Sequence, residues 1–160
     1  MERNQTILSL SLLSTDNPVF NCYCFWTSVL VIKMLMMTLL TAFKRFSKKA
    51  FVNPEDLKLS KASDVQLNDP DVERVRRAHL NDLESILPYL LIALAYVASG
   101  PNATTARILF CLAATGRILH TAVYAFRPVP QPSRAISFFL TFTITIYMAF
   151  CVLIKMAKYI

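Results

Sequence analysis

The chemistry in this sequence concentrates in ERVRRAHLNDLE, residues 73–84. Arg74, Arg76, Arg77, His79, Asn81, Asp82 and Glu84 stand there at the start of an apolar run. On a helix, Arg77, Asn81, Glu84 and Pro88 fall at i, i+4, i+7 and i+11, so they share one face. Arginines at a helix end can snorkel to lipid headgroups, and that reading suits Arg74 or Arg76 alone. It does not account for an Asn and a Glu one and two turns deeper, because polar groups in a span face a bundle interior or a wet cavity. Other segments add Arg45, Arg117 with His120 and Tyr124 at i+3 and i+7, and Arg134 followed by Ser137, Thr141 and Thr145. The three hydroxyls read as helix-packing groups. Arg117 reads as a structural ion pair with Glu84 or Asp82, since a buried charge needs a partner. Sorted by depth, Arg45, Arg76, Arg77, His79, Tyr124 and Arg134 gather at one membrane boundary, with Asn81 and Glu84 slightly deeper. That is a cationic pocket with one carboxylate. Its complement is a small anion with more than one carboxylate or phosphate and one ammonium. An apolar reactant would reach it through the bilayer.

The positioning elements follow from composition. The chain has 160 residues, 55% apolar and 17% charged, with only two glycines. Disorder, collagen and a disulfide scaffold are excluded. A soluble α/β enzyme is nearly excluded too, because two glycines cannot supply the usual phosphate loops. Four apolar runs have spanning length, from about Phe20 to Phe43, Ala78 to Ser99, Ala103 to Phe126 and Ala135 to Ile154. They lack strand alternation, so they predict helices: an all-α membrane protein with a four-transmembrane-helix bundle over residues 20–160. The first run reads as a retained signal anchor behind an N-terminal extension, residues 1–19.

Gly100-Pro101-Asn102 predicts a short turn that makes helices two and three antiparallel neighbours. The loop Arg127-Pro128-Val129-Pro130-Gln131-Pro132 cannot be helical. Residues 44–77 form the long polar loop, and nine of the 17 Lys and Arg lie there. Arg127 and Arg134 flank the third loop, whereas Arg3, Arg107, Lys155 and Lys158 mark the opposite side. The positive-inside rule puts both loops in the cytosol and the N-terminal extension in the lumen. The net charge of +7 is therefore read as topology and lipid-headgroup contact, with no nucleic acid as partner. Cys22, Cys24, Cys111 and Cys151 match no zinc spacing, and no metal is expected. Asn4-Gln5-Thr6 and Asn102-Ala103-Thr104 are glycosylation sequons by pattern.

At these residues the chain resembles a known family. AFVNPED (50–56), ERVRRAHLNDLE (73–84), GRILHTAVY (116–124) and PQPSRAISFF (130–139) closely resemble the microsomal glutathione transferases. These belong to the membrane-associated proteins in eicosanoid and glutathione metabolism. The likeness covers about residues 25–158. It implies a homotrimer with glutathione, as co-substrate, held between subunits near the cytosolic face. Arg45, Arg76, Arg77, His79, Asn81, Glu84 and Tyr124 would bind glutathione, and Arg134 would stabilise its thiolate. The thiolate would attack lipophilic electrophiles or lipid hydroperoxides. The resemblance also implies the endoplasmic reticulum membrane, with the mitochondrial outer membrane as a second location.

Within this family the prostaglandin E synthases carry an arginine where this chain has Leu80. They carry Ser and Tyr where it has Ala135 and Phe138. These differences favour a broad glutathione transferase with peroxidase activity. A glutathione-dependent isomerase of a lipid endoperoxide is the enzymatic alternative. A non-catalytic lipid-binding scaffold of the same fold is the alternative from another class.

Overall fold

The computed structural model describes residues 12–60, 64–126 and 128–160. The Asn4 sequon, Arg3 and Arg127 lie outside the described residues. Among the described residues there are four long helices: α1 (Pro18–Lys48), α3 (Pro70–Ala98), α4 (Ala103–Thr121) and α5 (Ser133–Ala157). A short α2 (Leu57–Ser60) sits in the connection between the first two, preceded by a 3-10 turn at Pro54–Asp56. α4 continues into a wider π turn, Ala122–Phe126. All four long helices are long and apolar enough to cross a membrane.

Local chemistry sets most of the ends. Asn17 caps α1 by accepting from the Val19 N–H at 2.9 Å, with Pro18 in the first helical position. Asp69 caps α3 through the Asp71 and Val72 N–H groups, both at 3.0 Å, again ahead of a proline. Asn102 caps α4 through Thr105 N–H at 3.1 Å. Before it, Gly100 turns the chain at φ 65, a conformation that favours glycine. α1 stops where Lys49 adopts the left-handed conformation and donates to the Arg45 and Phe46 carbonyls. The helices therefore overrun the apolar runs. Arg45 and Lys48 belong to α1, and ERVRR belongs to α3, whose cap lies at Asp69.

Packing order differs from chain order. α1 packs on α3 and α4, and α5 packs on α3 and α4. The consecutive helices α3 and α4 face each other mainly across the diagonal of the bundle, which corrects the expectation that the short turn makes them neighbours. The reason lies on α4. Ala113 and Gly116, three residues apart, form a small-residue face, and both are buried. α5 closes onto it so tightly that a Cβ at Gly116 would stand 2.9 Å from Thr141 Oγ1. Thr141 completes the contact by donating its hydroxyl to the Ala113 carbonyl at 2.9 Å. An apolar core of Leu30, Ile86, Tyr89, Ala93, Phe110, Ile144 and Met148 fills the half near Gly100. The other half holds the polar groups.

Candidate functional site

Charge is buried at the level where the core turns polar. Arg117, Asp82 and Lys33 come from α4, α3 and α1. Arg117 Nη2 donates to Asp82 Oδ1 at 2.6 Å, and both side chains are fully buried. Lys33 pairs with the other carboxylate oxygen of Asp82. The choice left open for Arg117 thus resolves to Asp82, and Glu84 stays with the cavity-lining groups. Lys33, which the sequence showed only as an interruption of an apolar run, is the third member. Its signal was available: a lone charge in a span needs a partner at the same depth.

Next to this trio lie three adjoining cavities between α3, α4 and α5. One of about 220 Å³ is walled by Arg77, Leu80, Asn81, Glu84, His120 and Tyr124. A second of about 350 Å³ is walled by Asn81, His120, Tyr124, Gln131, Arg134 and Phe138, with Ala135 at its edge. A third, about 260 Å³, runs deeper along α3 and α5 between Pro88, Phe138, Phe142 and Ile146, with Ser85, Thr141 and Thr145 among the apolar groups. Asn81 lines all three. Pro88 has no N–H to offer the Glu84 carbonyl four residues back, so the head of the deep groove keeps extra polar backbone.

Aromatic rings order the wall. His120 and Tyr124 stack with centroids 5.6 Å apart and an interplanar angle of 12°. The Arg134 guanidinium sits over the Tyr124 ring, 5.0 Å from its centroid. Gln131 fixes the start of α5 by accepting from the Ala135 N–H at 3.2 Å. Nε of Arg134 and Nδ1 of His120 are buried without a hydrogen-bond partner among the described residues. His120 was a neighbour of the expected site rather than a member. Its spacing of four from Tyr124 was the available signal.

Of the residues expected to act together, Arg77, Asn81, Glu84, Tyr124 and Arg134 do line these cavities. Arg45, Arg76 and His79 do not. Arg76 is 59% exposed and forks onto Glu73 through Nε and Nη2 at 2.8–3.0 Å. Arg45, in the last turn of α1, lies close enough to Glu73 to act on its charge. His79 is half-buried and stands two residues after Arg77, about 200° around the helix from it. At about 100° per residue, Arg76 and His79 cannot share the direction of Arg77 and Asn81. Among the described residues no group of three His, Cys, Asp or Glu side chains is placed to hold a metal.

Residues 23–154, which include most of each of the four long helices, match the model of the MAPEG family. The chain belongs to the MAPEG family. It is therefore a multi-pass membrane protein, as four spanning helices require. It is 45% identical to human (Homo sapiens) microsomal glutathione S-transferase 1 over 139 residues, covering 84% of this chain and 89% of that one. It is 42% identical to the same protein of Rattus norvegicus over 139 residues, with the same coverage. It is 39% identical to Rattus norvegicus prostaglandin E synthase over 123 residues, covering 77% of this chain and 80% of the relative. Every cavity-lining residue named above falls inside the MAPEG match. So do the Lys33–Asp82–Arg117 trio and the close approach at Gly116.

In MAPEG terms the site has two chemically distinct halves. The shallow cavities offer guanidinium, amide, imidazole and phenol groups with one carboxylate. The deep groove adds aromatic and aliphatic surface and shares Asn81 and Glu84 with the shallow side. Such a wall can hold a polar anion at one end and a lipophilic molecule at the other, with Arg134 near the junction at Phe138.

Proposed function

We propose that the chain is a membrane-bound glutathione transferase that joins glutathione to lipophilic electrophiles. The observation that carries this reading is Arg134. Its guanidinium, fixed over Tyr124, borders the polar cavity, and Phe138 one turn later borders the apolar groove as well. Glutathione has two carboxylates, an ammonium and a thiol. Arg77, Asn81 and Tyr124 suit its acceptors, and Glu84 suits its ammonium. Arg45, Arg76 and His79 complete the set where copies of the chain meet. We take that assembly to be a homotrimer with glutathione between subunits, as the family resemblance implies. Their distance from the single-chain cavities supports that arrangement.

A thiol is a weak nucleophile until ionised, and an adjacent guanidinium favours the thiolate. The thiolate attacks an electrophilic carbon in the groove. A carbon–sulfur bond forms and the leaving group departs with its electron pair, while the thiol proton goes to solvent. With a lipid hydroperoxide, the thiolate instead attacks the terminal oxygen. The lipid alcohol leaves, and a second glutathione returns the sulfur as disulfide with release of water. The positive-inside rule favours the cytosolic side for this chemistry, and the family resemblance supports the endoplasmic reticulum membrane, or the mitochondrial outer membrane, as its location.

The similarity to prostaglandin E synthase favours a second reading, isomerisation of a lipid endoperoxide with glutathione. Leu80 and Phe138 in the cavity wall, where that branch is expected to carry Arg and Tyr, argue for the transferase. The test is conjugation of glutathione to a chlorinated dinitrobenzene by the detergent-purified chain. Turnover above the uncatalysed rate supports the proposal. No turnover, with endoperoxide isomerised, establishes the second reading. Glutathione binding with neither reaction would leave a non-catalytic scaffold.

A further inference from the structure

We propose that Arg117 is a positioning residue for the glutathione site, acting through Asn81; this rests on the glutathione reading above. One nitrogen, Arg117 Nη2, donates to Asp82 Oδ1 at 2.6 Å and to Asn81 Oδ1 at 2.9 Å. A guanidinium has donors and no acceptor, so only the oxygen of the Asn81 amide can face it. The Asn81 NH2 group is thereby turned away from Arg117, and Asn81 lines both polar cavities. Asn81 therefore presents donors to the ligand. It recognises an acceptor of glutathione, a carboxylate or peptide carbonyl, and leaves the ammonium to Glu84.

The arrangement is held from behind. Arg117 is fully buried, and so is Asp82, which Lys33 grips from α1. An unrestrained Asn amide would flip and offer oxygen or nitrogen with similar ease. Here the flip would set NH2 against a guanidinium that can accept nothing. Two formal cations stand against one carboxylate in the trio, so the amide oxygen also meets a positive surplus. A chain of contacts from α1 through α3 to α4 thus decides the polarity of one side chain in the site.

The test is titration of glutathione into the purified full-length protein by calorimetry, with thermal unfolding recorded for each variant. Asn81→Asp keeps an acceptor for Arg117, and the surplus cation of the trio balances the new charge. It replaces the cavity-facing donors with a carboxylate oxygen. Affinity should fall by about tenfold or more, the scale of a lost hydrogen bond to a charged group, with the unfolding midpoint held. Unchanged affinity in Asn81→Asp overturns the proposal. Asn81→Ala, Arg117→Gln and their double variant should lose affinity to a similar extent, because the arginine acts only through the amide. Losses that multiply in the double variant overturn the positioning role. Should Arg117→Gln fail to fold, unchanged affinity in Asn81→Asp would still overturn the proposal. A wild-type chain that binds no glutathione overturns the glutathione reading along with this one, whereas wild-type binding with multiplying losses overturns this one alone.

Discussion

Arg117 and Asp82 meet across the diagonal of the bundle, Nη2 to Oδ1 at 2.6 Å, with both side chains sealed from solvent. The pair joins two helices that are consecutive in the chain yet pack mainly on other partners. Removing the carboxylate alone, in Asp82→Ala, leaves Arg117 and Lys33 buried without it. Breaking a buried pair from one side costs about 3–5 kcal/mol. Thermal unfolding in detergent should show a large drop in midpoint. An unshifted midpoint would mean that the pair is solvated.

Gly116 predicts a second stability effect. A methyl group there would stand 2.9 Å from Thr141 Oγ1, 3.2 Å from Leu140 Cδ2 and 3.3 Å from the Ser137 carbonyl oxygen. The Ser137 contact is backbone, so α5 itself must shift. Gly116→Ala should cost about 1–3 kcal/mol, as overpacking does. Arg134 rides on α5, so transferase turnover should fall with it. Full turnover at an unchanged unfolding midpoint would contradict the close approach.

Arg134→Ala separates binding from chemistry. Glutathione should still titrate, because Arg77, Asn81, Glu84 and Tyr124 remain on the cavity wall. The bound thiol should move back toward its free value of about 8.5. The pH–rate profile should therefore shift upward. If Arg134 lowers the thiol pKa by about two units, the thiolate fraction and with it turnover near neutral pH should fall about 25-fold. The ultraviolet thiolate band of the bound tripeptide reports the same change without turnover. Equal bands in both proteins would remove Arg134 from thiolate stabilisation.

Glu84→Gln tests the ammonium contact. Arg117 is taken by Asp82, so the substitution should leave the unfolding midpoint unchanged. Affinity for glutathione should weaken by about 1–3 kcal/mol, the range for a charge-assisted hydrogen bond. A lower midpoint with unaltered affinity would make Glu84 structural.

How much of this was legible beforehand depends on whether a feature is local. The number and course of the spans follow from apolar runs, because lipid forces each backbone segment to satisfy itself as a helix. The caps at Asn17, Asp69 and Asn102 are also local, since a cap needs only its next few residues, but the apolar runs do not point to them, and the second long helix starts at Pro70 rather than near Ala78. The shared direction of Arg77, Asn81 and Glu84 follows from 3.6 residues per turn. Only the tertiary structure decided which faces meet. It gave Arg117 to Asp82 rather than Glu84, recruited Lys33 from 49 residues away, and placed Arg134 over Tyr124. It also moved α4 to the far side of α3 because Gly116 admits α5. Periodicity assigns each side chain a direction on its own helix. It carries no information on how the helices are ordered around the bundle, which is decided by how closely their surfaces can approach.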